Sequence, residues 1–175
     1  MFSLNEKVVY PGHGVAKINR LVEKNVSGSM TQFFELTFLN KDMTILVPVN
    51  NLTAVGVRRL SSTKNITDIY RILSEPLKKN SPEITASNWN KRNKEYQGKL
   101  RSGDLNEICK IYRDLKHIAT HKELSFGEKN LLIQTELLLA QEISLVKKVK
   151  EDTAIEELRA IFKHDVSSSL IARSL

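Results

Sequence analysis

A single cysteine, Cys109, occurs in the 175-residue chain. One thiol closes no internal disulfide and by itself holds no zinc ion, so stability has to come from packing. Long apolar runs are also lacking. Stretches such as Leu137-Leu138-Leu139-Ala140 fall far short of the ~20 residues that cross a bilayer, which excludes a helical membrane span. The opening residues, Met-Phe-Ser-Leu-Asn-Glu-Lys, have no basic region followed by a 7–15-residue apolar core. No secretory signal is therefore expected, and a cytoplasmic location is. Hydrophobic residues at 41% and charged residues at 27% match an ordinary globular chain, which argues against wholesale disorder and a collagen-like repeat. No internal repeat of 20–50 residues and no long low-complexity tract is visible.

What the chain has in excess is positive charge, a net +7, unevenly placed. Residues 1–60 hold seven Lys/Arg against four Asp/Glu, residues 61–150 seventeen against eleven, and residues 151–175 three against five. The middle therefore carries most of the excess. Within it, Lys78, Lys79, Lys91, Arg92, Lys94, Lys99 and Arg101 face only Glu83 and Glu95. A basic face of this kind attracts phosphates by counterion release, which makes nucleic acid the first partner to consider; a solvated surface is the bland alternative.

Periodicity divides the chain into a β part and an α part. Lys7–Tyr10 reads as a strand stopped by the turn Pro11-Gly12-His13-Gly14, and Val15–Val22 resumes an extended pattern. After Ser27-Gly28-Ser29, the residues Phe34, Leu36 and Phe38 alternate with polar or outward positions, as do Met43, Ile45 and Val47 up to Pro48. Val55-Gly56-Val57 is a candidate fifth strand. Five short strands predict a small, twisted antiparallel sheet or open barrel. The period then changes: Ile66, Ile69, Tyr70 and Leu73 form a helical stripe that Pro76 ends. A linker is expected over 76–86, then a helix capped by Ser87 or Asn88 and running to about Arg101. Gly103 is placed to end it in a left-handed conformation, and Asp104 with Glu107 resembles a capping box. Leu105, Ile108, Cys109, Tyr112 and Leu115 stripe the next helix. Ser125 with Glu128 caps a long one to about Val149, and a last helix spans roughly Asp152 to Lys163. The α+β order favours two domains, a β domain over 1–60 and a helical domain over 61–164, with a flexible tail over 165–175.

Signatures of catalysis are weak. Gly12-His13-Gly14-Val15-Ala16-Lys17 lacks the third glycine of a dinucleotide fingerprint and the Gly-Lys-Ser/Thr of a P-loop, so a hairpin turn is the expected role. His117 and His121 stand one helical turn apart but enclose Ile-Ala-Thr, without the glutamate of a metalloprotease, and have no third ligand in view. Cys109, on an apolar stripe, is expected to be a buried hydrophobe. No metal, no cofactor and no enzymatic activity are expected. Trp89, the one tryptophan, is different. It opens a helix beside Asn88, Asn90, Lys91, Arg92, Asn93 and Lys94, and of positions 92, 93 and 96 only Tyr96 offers it an apolar partner. Two roles are open: an anchor packed on the helices, or an exposed aromatic flanked by cations, the arrangement with which minor-groove proteins prise open a base step.

Five ordered motifs then carry a resemblance. They are Glu6-Lys7-Val8-Val9-Tyr10-Pro11-Gly12-His13-Gly14; Thr44-Ile45-Leu46-Val47-Pro48; Asn88-Trp89 followed by Lys91-Arg92; Lys99-Leu100-Arg101-Ser102-Gly103-Asp104-Leu105; and Leu124-Ser125-Phe126-Gly127-Glu128-Lys129. Over about residues 4–150 the chain resembles the CarD family of bacterial RNA polymerase-binding regulators. The resemblance implies a Tudor-like β domain that binds the β subunit of RNA polymerase and a helical domain that contacts promoter DNA at the upstream edge of the bubble. The β domain is shared with transcription-repair coupling factors; the helical motifs are not. By the same resemblance Trp89 is the wedge, and Lys91, Arg92, Lys94 and Lys129 match or neighbour basic DNA contacts. On the polymerase side, Lys24 matches a basic position and Leu46 stands where some members have arginine. The segment Met43, Thr44, Ile45, Leu46 and Val47 is expected to dock by its strand edge, through main-chain hydrogen bonds that do not depend on the side chain. The expected function is a monomeric, non-enzymatic transcription regulator that stabilises the open promoter with little sequence preference. The alternative is a protein-interaction module whose helical domain binds another protein, with Trp89 as a hot spot.

Overall fold

A computed structural model of the chain describes residues 1–76 and 89–171, with residues 164–171 described by their backbone. Lys78, Lys79, the cap expected at Ser87 or Asn88, most of the linker expected over 76–86, and residues 172–175 lie outside the described residues. By their internal contacts the residues group into two compact units, Met1–Leu60 with Arg101–Gly103, and Ser61–Leu100 with Asp104–Leu175.

The β unit is a five-stranded sheet in which every neighbouring pair is antiparallel, as the alternating pattern predicts. Its strands are β1 (Lys7–Tyr10), β2 (Gly14–Val26), β3 (Ser29–Phe38), β4 (Thr44–Pro48) and β5 (Arg58–Arg59), in the order β4-β3-β2-β1-β5. The turn between β1 and β2 carries Gly12 at φ +73°, a conformation that side chains with a Cβ rarely adopt. Phe34, Leu36 and Phe38 all point into the core with Val8, Ala16, Ile18 and Val47. β2 runs past the Val22 expected for it because it pairs with β3 out to Val26↔Ser29. A bulge between Ile18 and Arg20 shifts the register, so that Ile18 meets Leu36 while Leu21, three residues on, meets Phe34. One extra residue flips the facing of the strand, which is why a simple period of two fails beyond Ile18. The fifth strand is not Val55–Val57. Pro48 closes β4, a 3-10 turn follows over Val49–Asn51, and the short helix α1 (Leu52–Val55) buries Leu52 in the sheet core. Gly56, left-handed, stops that turn, and the strand forms two residues later at Arg58–Arg59.

The helical unit contains α2 (Thr63–Ser74), α3 (Trp89–Ser102), α4 (Leu105–His121), α5 (Phe126–Lys147) and α6 (Glu151–Ile171). Ile66, Ile69 and Leu73 from α2 and Leu105, Ile108, Cys109, Tyr112 and Leu115 from α4 are buried together with Leu139, Ile143 and Leu158. Each fully buried aliphatic or aromatic side chain contributes about 1.5–3 kcal/mol, so this cluster is the main source of the unit's stability. Asp104 caps α4 as expected, accepting from the Asn106 N–H at 2.8 Å, but the box does not close. Glu107 pairs instead with Lys110 at 2.6 Å and Lys99 at 3.5 Å. α6 continues to Ile171 rather than ending near Lys163, because no proline or glycine follows to stop it. Cys109 is fully buried, and burial pushes its thiol up to about 12, so at neutral pH it is a packed thiol and not a nucleophile.

Candidate nucleic-acid interface

The site is built outward from the start of α5. Ser125 is its cap, and the capping box written in Ser125 and Glu128 is complete: Ser125 Oγ accepts from the Glu128 N–H at 3.3 Å, and Glu128 Oε2 accepts from the Ser125 N–H at 2.9 Å. Glu128 does more than cap. Its side chain is only 1% exposed, yet it also takes hydrogen bonds from Arg92 Nη2 at 3.0 Å and Lys122 Nζ at 3.2 Å. Burial alone would raise its pKa; the bonds from the Ser125 backbone, Lys122 and Arg92 outweigh it and hold the carboxyl below the usual carboxylate range. Glu128 is thus a buried anion that ties the start of α5 to α3.

Arg92 connects this anion to Trp89. Its side chain is 11% exposed, and its guanidinium carbon lies 5.8 Å from the centre of the indole, within cation–π range. Among the described residues its buried Nε has no hydrogen-bond acceptor. Trp89 itself is half-buried and packs against the helical core. The backbone of Gly127 presses on the ring so closely that a Cβ there would lie 2.9 Å from Cζ2 and 3.3 Å from Cε2 and Nε1. A glycine is therefore required by the indole rather than by a turn. Down the same face of α3, at i+7 and i+11 from Trp89, Tyr96 and Leu100 are buried. Trp89 is thus packed against the helical core without being fully buried in it.

The cations divide in two. Arg92 faces inward. Lys91 and Lys94, on either side of it, are exposed and make no ion pair with another described residue. Lys129, one residue past Glu128, is 51% exposed and pairs with the exposed Glu123 at 2.9 Å. A surface pair of this kind holds little energy and gives way readily to a phosphate. Trp89 and Arg92 are thus brought to the start of α5, with Lys91 and Lys94 on α3 and Lys129 next in the chain to Glu128 on α5. The expected site omitted Gly127, Glu128 and Phe126, the last 82% exposed at the first position of α5. Ser125-Phe126-Gly127-Glu128 was legible as a cap; that its glycine receives an indole from a helix 38 positions away was not.

In the β unit, Thr44–Pro48 forms an edge strand bonded only to β3, with Leu46 opposite Glu35 and Val47 opposite Phe34. Met43 precedes it and Ile45 is half-buried on the core side. The outer rim of β4 is the kind of edge on which another strand adds. Lys24 stands exposed on β2 opposite Thr31, beyond the part of β3 that β4 pairs with. Closer to β4, Arg20 binds Glu35 at 2.9 Å across β2 and β3. Elsewhere, the rings of His117 and His121 lie 4.6 Å apart, and among the described residues no group of three His, Cys, Asp or Glu side chains is placed to hold a metal ion.

Comparison with known proteins matches both units. The family described as "CarD, C-terminal domain" matches residues 68–159, and that described as "CarD-like/TRCF RID domain" matches residues 2–61. The protein named "Putative transcription factor YdeB" of Bacillus subtilis (strain 168) is 24% identical over 151 residues, 86% of this chain and 95% of that protein. The solution NMR structure of the 72-residue N-terminal domain of Myxococcus xanthus CarD is 27% identical, covers 34% of this chain and 79% of its own, and superposes with a TM-score of 0.30.

Proposed function

The chain belongs to the CarD family, and from that premise we propose that it binds the β subunit of RNA polymerase through the β4 edge and stabilises the open promoter through Trp89 and its lysines. Family membership makes it a transcription regulator that interacts with RNA polymerase, and not an enzyme. The finer assignment rests chiefly on one observation: a half-buried indole, seated on Gly127 and Arg92, beside two exposed lysines that pair with no acid among the described residues. A ring held in this way reaches DNA with little further loss of side-chain entropy, and Lys91 and Lys94 supply the phosphate contacts that keep it in register. Arg92 acts through Trp89, holding the ring against Glu128 and α5.

The mechanism is additive. The β domain tethers the protein to polymerase by main-chain bonds along Met43, Thr44, Ile45, Leu46 and Val47, with Lys24 at a neighbouring position, and the tether raises the effective concentration of the helical domain at the promoter. Few phosphate contacts then suffice, so affinity for bare DNA is weak and falls with salt. Trp89 occupies the unstacked step at the upstream edge of the bubble, and reclosing has to expel it. Discrimination between promoters follows the ease of unstacking more than base identity. The test is the lifetime of the open complex with full-length protein. Trp89→Ala should shorten it by about five- to a hundred-fold while polymerase binding persists, since base–aromatic stacking is worth roughly 1–3 kcal/mol. An unchanged lifetime with a folded, polymerase-bound variant would exclude the wedge and leave the helical domain as a protein-binding module.

A further inference from the structure

Among the described residues of the helical unit, Phe126 is the large hydrophobic residue most open to solvent, at 82% exposure. Single exposed apolar residues are common and need no explanation by themselves. Its position is what matters. Phe126 immediately precedes Gly127, the residue pressed against the Trp89 indole, and it is the first residue of the helix whose capping box anchors Arg92. The surroundings are cationic. Lys122 and Lys129, 54% and 51% exposed, flank it in the chain, and Lys91 and Lys94 stand exposed on α3 beside Arg92. An exposed aromatic among cations suits a strand of nucleic acid, whose phosphates take the lysines and whose unpaired bases offer a π-face to the ring. An apolar pocket on a protein would gain nothing from the surrounding lysines and would have to desolvate them.

We infer that Phe126 is a second base-contacting ring, which with Trp89 forms a two-ring platform for the unpaired bases at the edge of the bubble. The inference rests on the promoter-binding role proposed for Trp89 and adds to it a second ring. Trp89 is seated in the helical core and sets the register; Phe126, free to turn about its side-chain bonds, follows the displaced base. The capping box fixes the backbone that carries Phe126 and that underlies the Trp89 indole at Gly127, so the point from which the second ring swings is set by the fold.

The experiment uses full-length protein with RNA polymerase on a promoter carrying 2-aminopurine at the upstream bubble edge. Phe126→Ala is compared with Phe126→Tyr, Phe126→Leu and Trp89→Ala. Phe126→Ala should keep its Tm and its retention on polymerase, shorten the open-complex lifetime by about five-fold or more, and relieve quenching of the 2-aminopurine. Phe126→Tyr should retain the wild-type lifetime, and Phe126→Leu should resemble alanine because it has no ring to stack. A normal lifetime for Phe126→Ala alongside a shortened one for Trp89→Ala overturns the inference and leaves the wedge intact. Normal lifetimes for both overturn the wedge itself. Loss of polymerase retention by Phe126→Ala, or full rescue by leucine, makes Phe126 a protein contact or a plain apolar one and overturns the platform.

Discussion

Replacing Gly127 by alanine adds one methyl group beneath the only tryptophan in the chain. Two effects oppose each other in stability. Alanine is favoured over glycine inside a helix by about 0.5–1 kcal/mol. Against this, the new Cβ would lie 2.9 Å from Cζ2 and 3.3 Å from Cε2 and Nε1, where carbon atoms prefer about 3.5–4.0 Å. Relieving the overlap at three ring atoms moves the indole by roughly half an ångström or more, and overpacking of this kind typically costs about 1–3 kcal/mol. The net loss is therefore between nothing and about 2.5 kcal/mol, a modest fall in Tm. The effect on function should be larger, because the ring is the part that gives way. With a single tryptophan, fluorescence excited at wavelengths beyond tyrosine absorption reports this residue alone, and its emission should move toward that of a solvent-exposed indole. The open-complex lifetime should shorten in parallel, and Gly127→Ser should behave alike. A folded Gly127→Ala protein with wild-type emission and wild-type lifetime would refute the claim that this glycine seats the ring.

Three further outcomes follow from the same geometry. Glu128→Gln leaves Arg92 mostly buried without its anion and should cost about 3 kcal/mol in a thermal or urea melt, since removing one member of a buried pair costs roughly 3–5. Because the folded-state pKa of Glu128 is lowered, its contribution is present above the ordinary carboxylate range and is lost as pH falls through the lowered value; the variant should therefore show a flatter acid limb of stability. Replacing Lys91 and Lys94 together by alanine should leave the melt unchanged and reduce the salt slope of DNA binding by about two, one for each lost phosphate contact, whereas an unchanged slope makes them solvated surface. Leu46→Pro fixes φ and removes one donor from β4, so it should abolish polymerase binding; a variant that circular dichroism shows to be folded and that still binds excludes this edge.

Much of the fold is legible in the chain because the relevant signals are local. The alternation of Phe34, Leu36 and Phe38, the stripe of Leu105 to Leu115 and the Ser125–Glu128 box each depend on residues within a few turns of one another, and each is present as expected. The departures have non-local or compensating causes. The bulge at Ile18–Arg20 answers to the partner strand, and the short helix at Leu52–Val55 forms because Leu52 finds a place in a core built by other strands. At Asp104 the signature Asp-x-x-Glu was correct in spacing, but Lys99 and Lys110 offered Glu107 a stronger, charged partner.

The site repeats this lesson at the level of roles. Lys91, Arg92 and Lys94 read alike in sequence, as three cations within four positions, and charge alone assigns them the same task. Helical geometry separates them. Arg92 lies three residues from Trp89 on the face that continues to Tyr96 and Leu100, so its guanidinium turns toward the core, where it is neutralised only because Glu128 is buried there. Its neighbours fall outside that face and remain in water. The same angle that half-buries Trp89 thus places one of three phosphate candidates between the indole and a buried carboxylate. On the proposed reading the two kinds of cation respond to different conditions: exposed lysines to salt, and Arg92 to the ionisation of Glu128. Raising the ionic strength should weaken DNA binding through Lys91 and Lys94 and leave the Arg92–Glu128 pair largely intact, because buried pairs are screened far less than exposed ones. Lowering the pH through the depressed Glu128 value should do the reverse, loosening the seat of Trp89.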